Sequence, residues 1–218
     1  MIRYFVDSNP SSQYVRRVAK VFDNNGSGVR GDLKAVIEAV LRDREADKPG
    51  GDHGHLREPV LFSLALLRSL DGQVLEANIL QWWTYKMGQW VFRPPTVCND
   101  FHLLHGGFHG AHGSVEGPEF QIHTYTNAME RVDFVYRVAR NQMGTGVSID
   151  LSTFYALTDD PAALLALAED TLLQALLTDT ERTSILTAIN DVSPGNQQRG
   201  VEYAIYLVAT SSRYQVQH

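Results

Sequence analysis

Along most of this chain apolar side chains return every three or four residues, a spacing that gathers them on one face of an α-helix. Tyr14, Val15, Val18, Val21 and Phe22 do so after Asp7-Ser8-Asn9-Pro10, which supplies capping oxygens and a proline suited to a first helical turn. Asp32 is placed to cap a second stripe of Leu33, Val36, Ile37, Val40 and Leu41 that runs up to Arg44. Val60, Leu61, Leu64, Leu67 and Leu70 predict a helix from Pro59, and Leu75, Ile79, Trp82 and Trp83 another from about Val74. Thr124 to Asn141 predicts a further one, with Met129, Val132, Val135 and Val138 inward and Arg131, Arg137 and Arg140 among its charged positions. Three more are expected at about Asp160 to Leu177, Asp179 to Ile189 and Gln197 to Thr210. Asp160-Pro161, Thr178-Asp179 and Pro194-Gly195 punctuate them. Thr145 to Leu151 reads as an extended connector. The expected fold is all-α: a single multi-helix domain over 1–218 with one long irregular loop at 89–122, rich in histidine and glycine.

A chain of 218 residues buries a full core. With 44% hydrophobic and 20% charged residues it is too apolar for a disordered polymer. A formal net charge of -6 without a basic stripe argues against a nucleic-acid binder, because nothing gathers phosphates. The single cysteine, Cys98, excludes an internal disulfide. No apolar run is long enough to span a bilayer, and the first residues lack the pattern of a secretory signal. Met1 to Val6 reads instead as the last turns of a helix whose beginning is missing.

Chemistry concentrates in the aperiodic loop. Five of the eight histidines, His102, His105, His109, His112 and His123, fall within 22 residues. His102, His105, His109 and His112 are spaced by three, four and three, as ligands on one helix face are, but Gly106, Gly107, Gly110 and Gly113 oppose a helix. A glycine-rich loop can still wrap a divalent metal such as zinc through these four side chains. Asp100, Glu116 or Glu119 is available as a carboxylate ligand. His53 and His55 read as solvated histidines of a polar connector, and Cys98 as a small buried residue rather than a nucleophile beside His102. Asp23 to Gly28 resembles the front of a calcium loop, yet the twelfth position is Lys34, a cation where a carboxylate should close the shell. Trp82, Trp83 and Trp90, with Tyr85 among them, offer flat faces of the kind on which sugar rings stack. The competing reading is that they cover a core. Glu116, Glu119 and Glu130 are candidate carboxylates for glycoside chemistry. No serine elbow, phosphate loop or dinucleotide fingerprint is present.

Blocks in order along the chain carry a resemblance. Ile2 to Val6 with Ser8-Asn9-Pro10, Tyr14, Val18, Phe22 and Gly28 to Val36 come first. Leu56 to Val60, Pro118 to Thr124, and Ala204 to Val208 with Ser211, Tyr214, Val216 and Gln217 complete the set. Together they resemble the bacterial family named domain of unknown function 1800. The resemblance implies a mostly helical protein, commonly exported, of no agreed activity. Its members are about twice this long and carry a Trp-His-x-His-Phe-like segment without counterpart here. The chain is therefore expected to correspond to the C-terminal half alone, as a truncated form, and to self-associate or bind a partner over the apolar surface so exposed. Where the family reads Pro-Ser-Val-Phe-Asn-Phe-Phe, this chain has Pro95 to Phe101 and then its histidines, so the family lends them no support.

The resulting functional expectation is a hydrolase acting on a carbohydrate or ester. His123 and Glu119 are its catalytic pair, the four loop histidines its metal ligands or base, and Trp82, Trp83 and Trp90 its substrate surface. The alternative is a non-catalytic helical scaffold or binding module. Convergence separates them, because catalysis needs several of the loop's polar groups in one pocket.

Overall fold

The structure is a computed structural model that describes residues 1–47, 54–93, 122–173, 176–193 and 196–217, and the backbone of 108–110 and 113–115. It is predominantly helical, as the periodicity predicts. Its contacts divide it into two compact units. One holds the described residues of Met1–Leu56 and His102–Gln121, the other those of Arg57–Phe101 and Ile122–Gln217.

The first unit is built on helices α1 (Ile2–Phe5), α2 (Ser12–Asp23), α3 (Leu33–Leu41) and α4 (Arg44–Asp47). Its core is Ile2, Tyr14, Val18, Val36 and Val40. Helix α2 starts where Ser11 Oγ accepts from Tyr14 N, and α3 where Asp32 accepts from Lys34 N and Ala35 N. The four last carbonyls of a helix lack internal partners. One of these in α3, Val40 O, accepts a 2.5 Å bond from the buried Tyr14 hydroxyl. Burial, with Asp43 and Glu45 nearby, pushes that hydroxyl up to about 12. Arg17 grips both carboxylate oxygens of Asp43 at 2.7 Å and Glu45 at 2.7 Å, which holds both acids below the usual carboxylate range. Between α2 and α3 the calcium-like turn uses its own oxygens. Asn24 Oδ1 accepts from Gly26 N and Gly28 N, and Asn25 Oδ1 from Ser27 N and Val29 N. Within the long loop, Phe108–Gly110 pairs antiparallel with Gly113–Val115, setting His109 opposite Ser114.

The second unit contains α5 (Pro59–Ser69), α6 (Ala77–Lys86), α7 (Tyr125–Ala139), α8 (Ser152–Tyr155), α9 (Pro161–Leu172), α10 (Asp179–Val192), α11 (Gln197–Thr210) and α12 (Ser212–Gln215). Its core gathers Phe62, Leu66, Phe134, Val138, Leu164, Ile189, Ile205 and their neighbours around α11, which packs against α7, α9 and α10. Caps are supplied by Thr124, Asp160 and Asn196, and α10 begins with a full capping box between Thr178 and Glu181. Val74 lies in a strand rather than in a helix. Gln73 and Val74 form a two-residue antiparallel ladder with Ser148 and Val147. That ladder realises part of the extended connector expected at Thr145 to Leu151.

Two details fix the segment after α6. Helix α5 has no cap from its own Glu58; instead the buried Gln89 accepts from Val60 N at 3.0 Å and donates to Glu58 Oε2 at 2.8 Å. Gly88 has φ +97°, and a Cβ there would strike the Asn127 amide nitrogen and crowd the Ile122 carbonyl at 3.0 Å. Only glycine tolerates both demands.

Replacing Gln89 by Ala leaves the Val60 N–H and the Glu58 carboxylate without this partner. It is expected to lower stability by about 1–3 kcal/mol in urea unfolding. Tyr14→Phe is expected to cost about 1 kcal/mol by the same measurement, through loss of the bond to Val40 O.

Candidate functional site

Helix α6 and the turn behind it place an aromatic cluster at the surface of the second unit. Trp82, Tyr85 and Trp90 are 58%, 48% and 39% exposed. Trp82 and Tyr85 lie with ring centroids 5.8 Å apart and planes 35° from parallel, while Trp90 meets Tyr85 edge-on at 5.2 Å. The Arg93 guanidinium stacks over Trp90 at 4.7 Å. These four side chains, with Asn78 and Gln81 from the first turns of α6, line a groove of about 500 Å³. Next along the chain Phe92 is almost fully exposed with φ 62°. For a bulky residue that conformation costs on the order of 1–3 kcal/mol, which burial of the ring does not offset here.

Trp83, the next residue on α6, points the other way. At 7% exposure it joins the core, edge-on against Phe134, with Lys86 and Arg137 over its ring at 4.6 and 5.6 Å. Lys86 is paired with Glu130 at 2.5 Å and Arg137 with Asp133 at 3.1 Å. Trp82, Asn78, Lys86 and Arg137 border a second groove of about 460 Å³, so that Trp82 forms the ridge between the two. Of the residues expected to form a substrate face, Trp82 and Trp90 are joined by Tyr85 on the first groove, and the mostly buried Trp83 borders the second groove with Trp82. Glu130 is engaged by Lys86.

Of the proposed catalytic pair, Glu119 lies outside the described residues, as do the proposed ligands His102, His105 and His112, and with them His53, Cys98, Asp100 and Glu116. His109 belongs to the first unit and His123 to the second. His123 stands just before α7, half-buried. Burial, and then the charge of Arg131, lower its basicity, so the neutral imidazole is favoured at neutral pH. Among the described residues no group of three or more His, Cys, Asp or Glu is arranged to hold a metal ion. Nor, among them, is any helix long and apolar enough to cross a membrane.

The structure adds two juxtapositions that the sequence did not reveal. Ser8 Oγ lies 2.8 Å from His55 Nδ1, a pairing of residues 47 apart. Ser8 is only 2% exposed, so in this arrangement the contact ties the segment ahead of α2 to the one before α5. The second is Arg131, expected on the charged side of α7 and found 2% exposed. It heads the stripe Arg131, Phe134, Val135, Val138, Ala139, whose spacing is that of a buried face, while Met129 is exposed. Its guanidinium lies over Phe62 at 5.1 Å, and Nη2 donates to Arg57 O at 2.8 Å. Among the described residues Nε and Nη1 have no hydrogen-bond partner. Enclosing an ion costs several kcal/mol. A desolvated cation–π contact returns about 2 kcal/mol or somewhat more. Burial alone pushes the Arg131 pKa down to about 10.

The chain matches the family described as Protein of unknown function (DUF1800) over residues 1–216 and belongs to it. No curated protein matches, and no solved structure does. The expectation of a truncated C-terminal half is corrected by that match, which extends over nearly the whole of the 218 residues. The opening segment contains the four-residue α1, whose Ile2 is buried in the first unit's core.

The lowered basicity of His123 has a consequence for stability. The unfolded imidazole takes up its proton near pH 6.5 and the folded one at lower pH. Stability is therefore full above that value and falls as the pH drops toward the folded pKa. Thermal unfolding between pH 7.5 and 5 is expected to show this loss, and His123→Asn to reduce it.

Proposed function

We propose that this protein is a carbohydrate-binding helical module whose ligand stacks on Trp82, Tyr85 and Trp90. The observation that carries the reading is that three aromatic rings, with Tyr85 touching both Trp82 and Trp90, stay exposed on a groove whose other described lining residues are Asn78, Gln81 and Arg93. Rings supply flat apolar area at little conformational cost. The side-chain amides and the guanidinium offer the donors and acceptors that sugar hydroxyls need. Such a mixture of apolar faces and a few polar groups is what small-ligand sites present. No carboxylate is among the groove's described lining residues, which favours binding over glycoside hydrolysis. A hydrolytic role would draw on Glu119 and the loop histidines.

Titration of the purified protein with cello-, xylo- and chito-oligosaccharides, followed by tryptophan fluorescence and calorimetry, tests this. Saturable binding to at least one series is expected. Trp82→Ala and Trp90→Ala should each weaken it at least about tenfold, equivalent to about 1.4 kcal/mol. Tyr125→Ala, which removes an exposed aromatic outside the groove's lining, should leave it unchanged. Binding to none of the series, or binding indifferent to both tryptophans, would overturn the proposal.

Self-association is a further part of this proposal, supported by α3. Leu33, Ile37 and Leu41 recur every four residues and stay exposed beside the buried Val36 and Val40. Apolar stripes of this kind mark contact surfaces. Sedimentation is expected to show concentration-dependent association that Ile37→Lys abolishes; a monomer at all concentrations would count against it.

A further inference from the structure

We propose that Arg131 is the anchor of a buried oxyanion site, built to take a carboxylate or phosphate group of a ligand, beside Arg57 at the start of α5. A guanidinium carries five N–H donors in a rigid planar fork. Arg131 spends one of them on the Arg57 carbonyl, from Nη2, and among the described residues Nε and Nη1 find no partner. Because Nη2 has two hydrogens, one edge of the fork, either Nε with Nη2 or Nη1 with Nη2, keeps both its donors whichever hydrogen Arg57 engages. A two-donor edge matches the paired oxygens of a carboxylate or phosphate.

The surroundings favour an anion. Arg57 is also buried, at 8% exposure, and its guanidinium lies 4.5 Å over the Tyr214 ring. Tyr214 packs edge-on against Phe62, whose ring carries Arg131. Two cations thus flank one aromatic pair, and among the described residues no carboxylate forms an ion pair with either. Glu58, next to Arg57 in sequence, instead accepts from Gln89. His123 is near enough for the Arg131 charge to be felt there, and it is held toward its neutral form. Buried cations elsewhere in proteins are paired or hydrogen-bonded throughout. The missing counter-charge here is that of the ligand.

The site is separate from the aromatic groove, which none of Arg57, Phe62, Arg131 or Tyr214 lines among the described residues. Its test is accordingly independent of the glycan titration. Thermal unfolding of the full chain is followed in sodium phosphate, sodium succinate and sodium chloride at constant pH and ionic strength. Phosphate or succinate is expected to raise Tm by about 5 °C over chloride at saturation, with a dose dependence that follows mass action. The stronger of the two identifies the oxyanion type. Arg131→Met, close in length and uncharged, should abolish the increment. If that variant does not fold, Arg131→Lys, which keeps the charge and loses the two-donor edge, should reduce it severalfold. No rise over chloride in the unaltered protein, or an equal rise in the folded variant, would overturn the site.

Discussion

Helix α11 is closed in on most of its circumference, and the second unit takes its arrangement from that enclosure. Half of its residues are buried: Gly200, Val201, Glu202, Ala204, Ile205, Val208 and Ala209. Three of these are small, so neighbouring helices approach closely. At Gly200 a Cβ would lie 2.6 Å from Ser193 Oγ at the end of α10. A glycine inside a helix costs roughly 1 kcal/mol relative to alanine. The close α10–α11 contact accounts for its presence. Helices α7, α9 and α10 pack directly on α11, and α6 is carried by α7. The orientation of the aromatic ridge therefore descends from packing around α11.

Charge is distributed unevenly through the interior. Glu169, 2% exposed, is satisfied by Arg182 at 2.8 Å and by the Leu177 N–H at 3.3 Å, so its burial is supported from two sides. Arg131, equally buried, has one carbonyl and one ring face. Both sit on helices of the same unit, and among the described residues one is fully paired while the other is not. Among the described residues the interior thus completes one ion's coordination and not the other's, and the proposed oxyanion site rests on this difference.

Much of the architecture is legible in the sequence because period and caps agree. At α3 the residue read as a cap, Asp32, accepts the expected backbone bonds, and at α9 and α10 Asp160 and Thr178, from the dipeptides that punctuate the helices, also accept bonds from the first turn. The apolar stripes are less informative about burial. Val15, Phe22, Leu33, Ile37 and Leu41 fit the helical period and remain exposed, since a stripe records which residues share a face and not what covers it. Trp82 and Trp83 differ by about 100° around α6, so the first stays largely exposed while the second is mostly buried, although both border the second groove. Naming Arg131 only among the charged positions of α7 followed its charge rather than its place in the period. At three, four, seven and eight residues before Phe134, Val135, Val138 and Ala139 it is the first member of the inward stripe. The Ser8–His55 contact and the ladder of Gln73 and Val74 with Ser148 and Val147 join residues far apart in the chain, and no local pattern announces them.

The side chain of Gln89 joins two functions that usually belong to different residues: it starts α5 from outside that helix, and it is covalently next to Trp90. The Glu58–Gln89 bond makes positions 58 and 89 a matched pair. A change at either one alone would disturb the angle at which Trp90 leaves the body of the unit, without altering any atom of the aromatic face. Variation that keeps the orientation of the aromatic face must therefore arise at both positions together, and that orientation can be altered from residue 58, which lines neither groove.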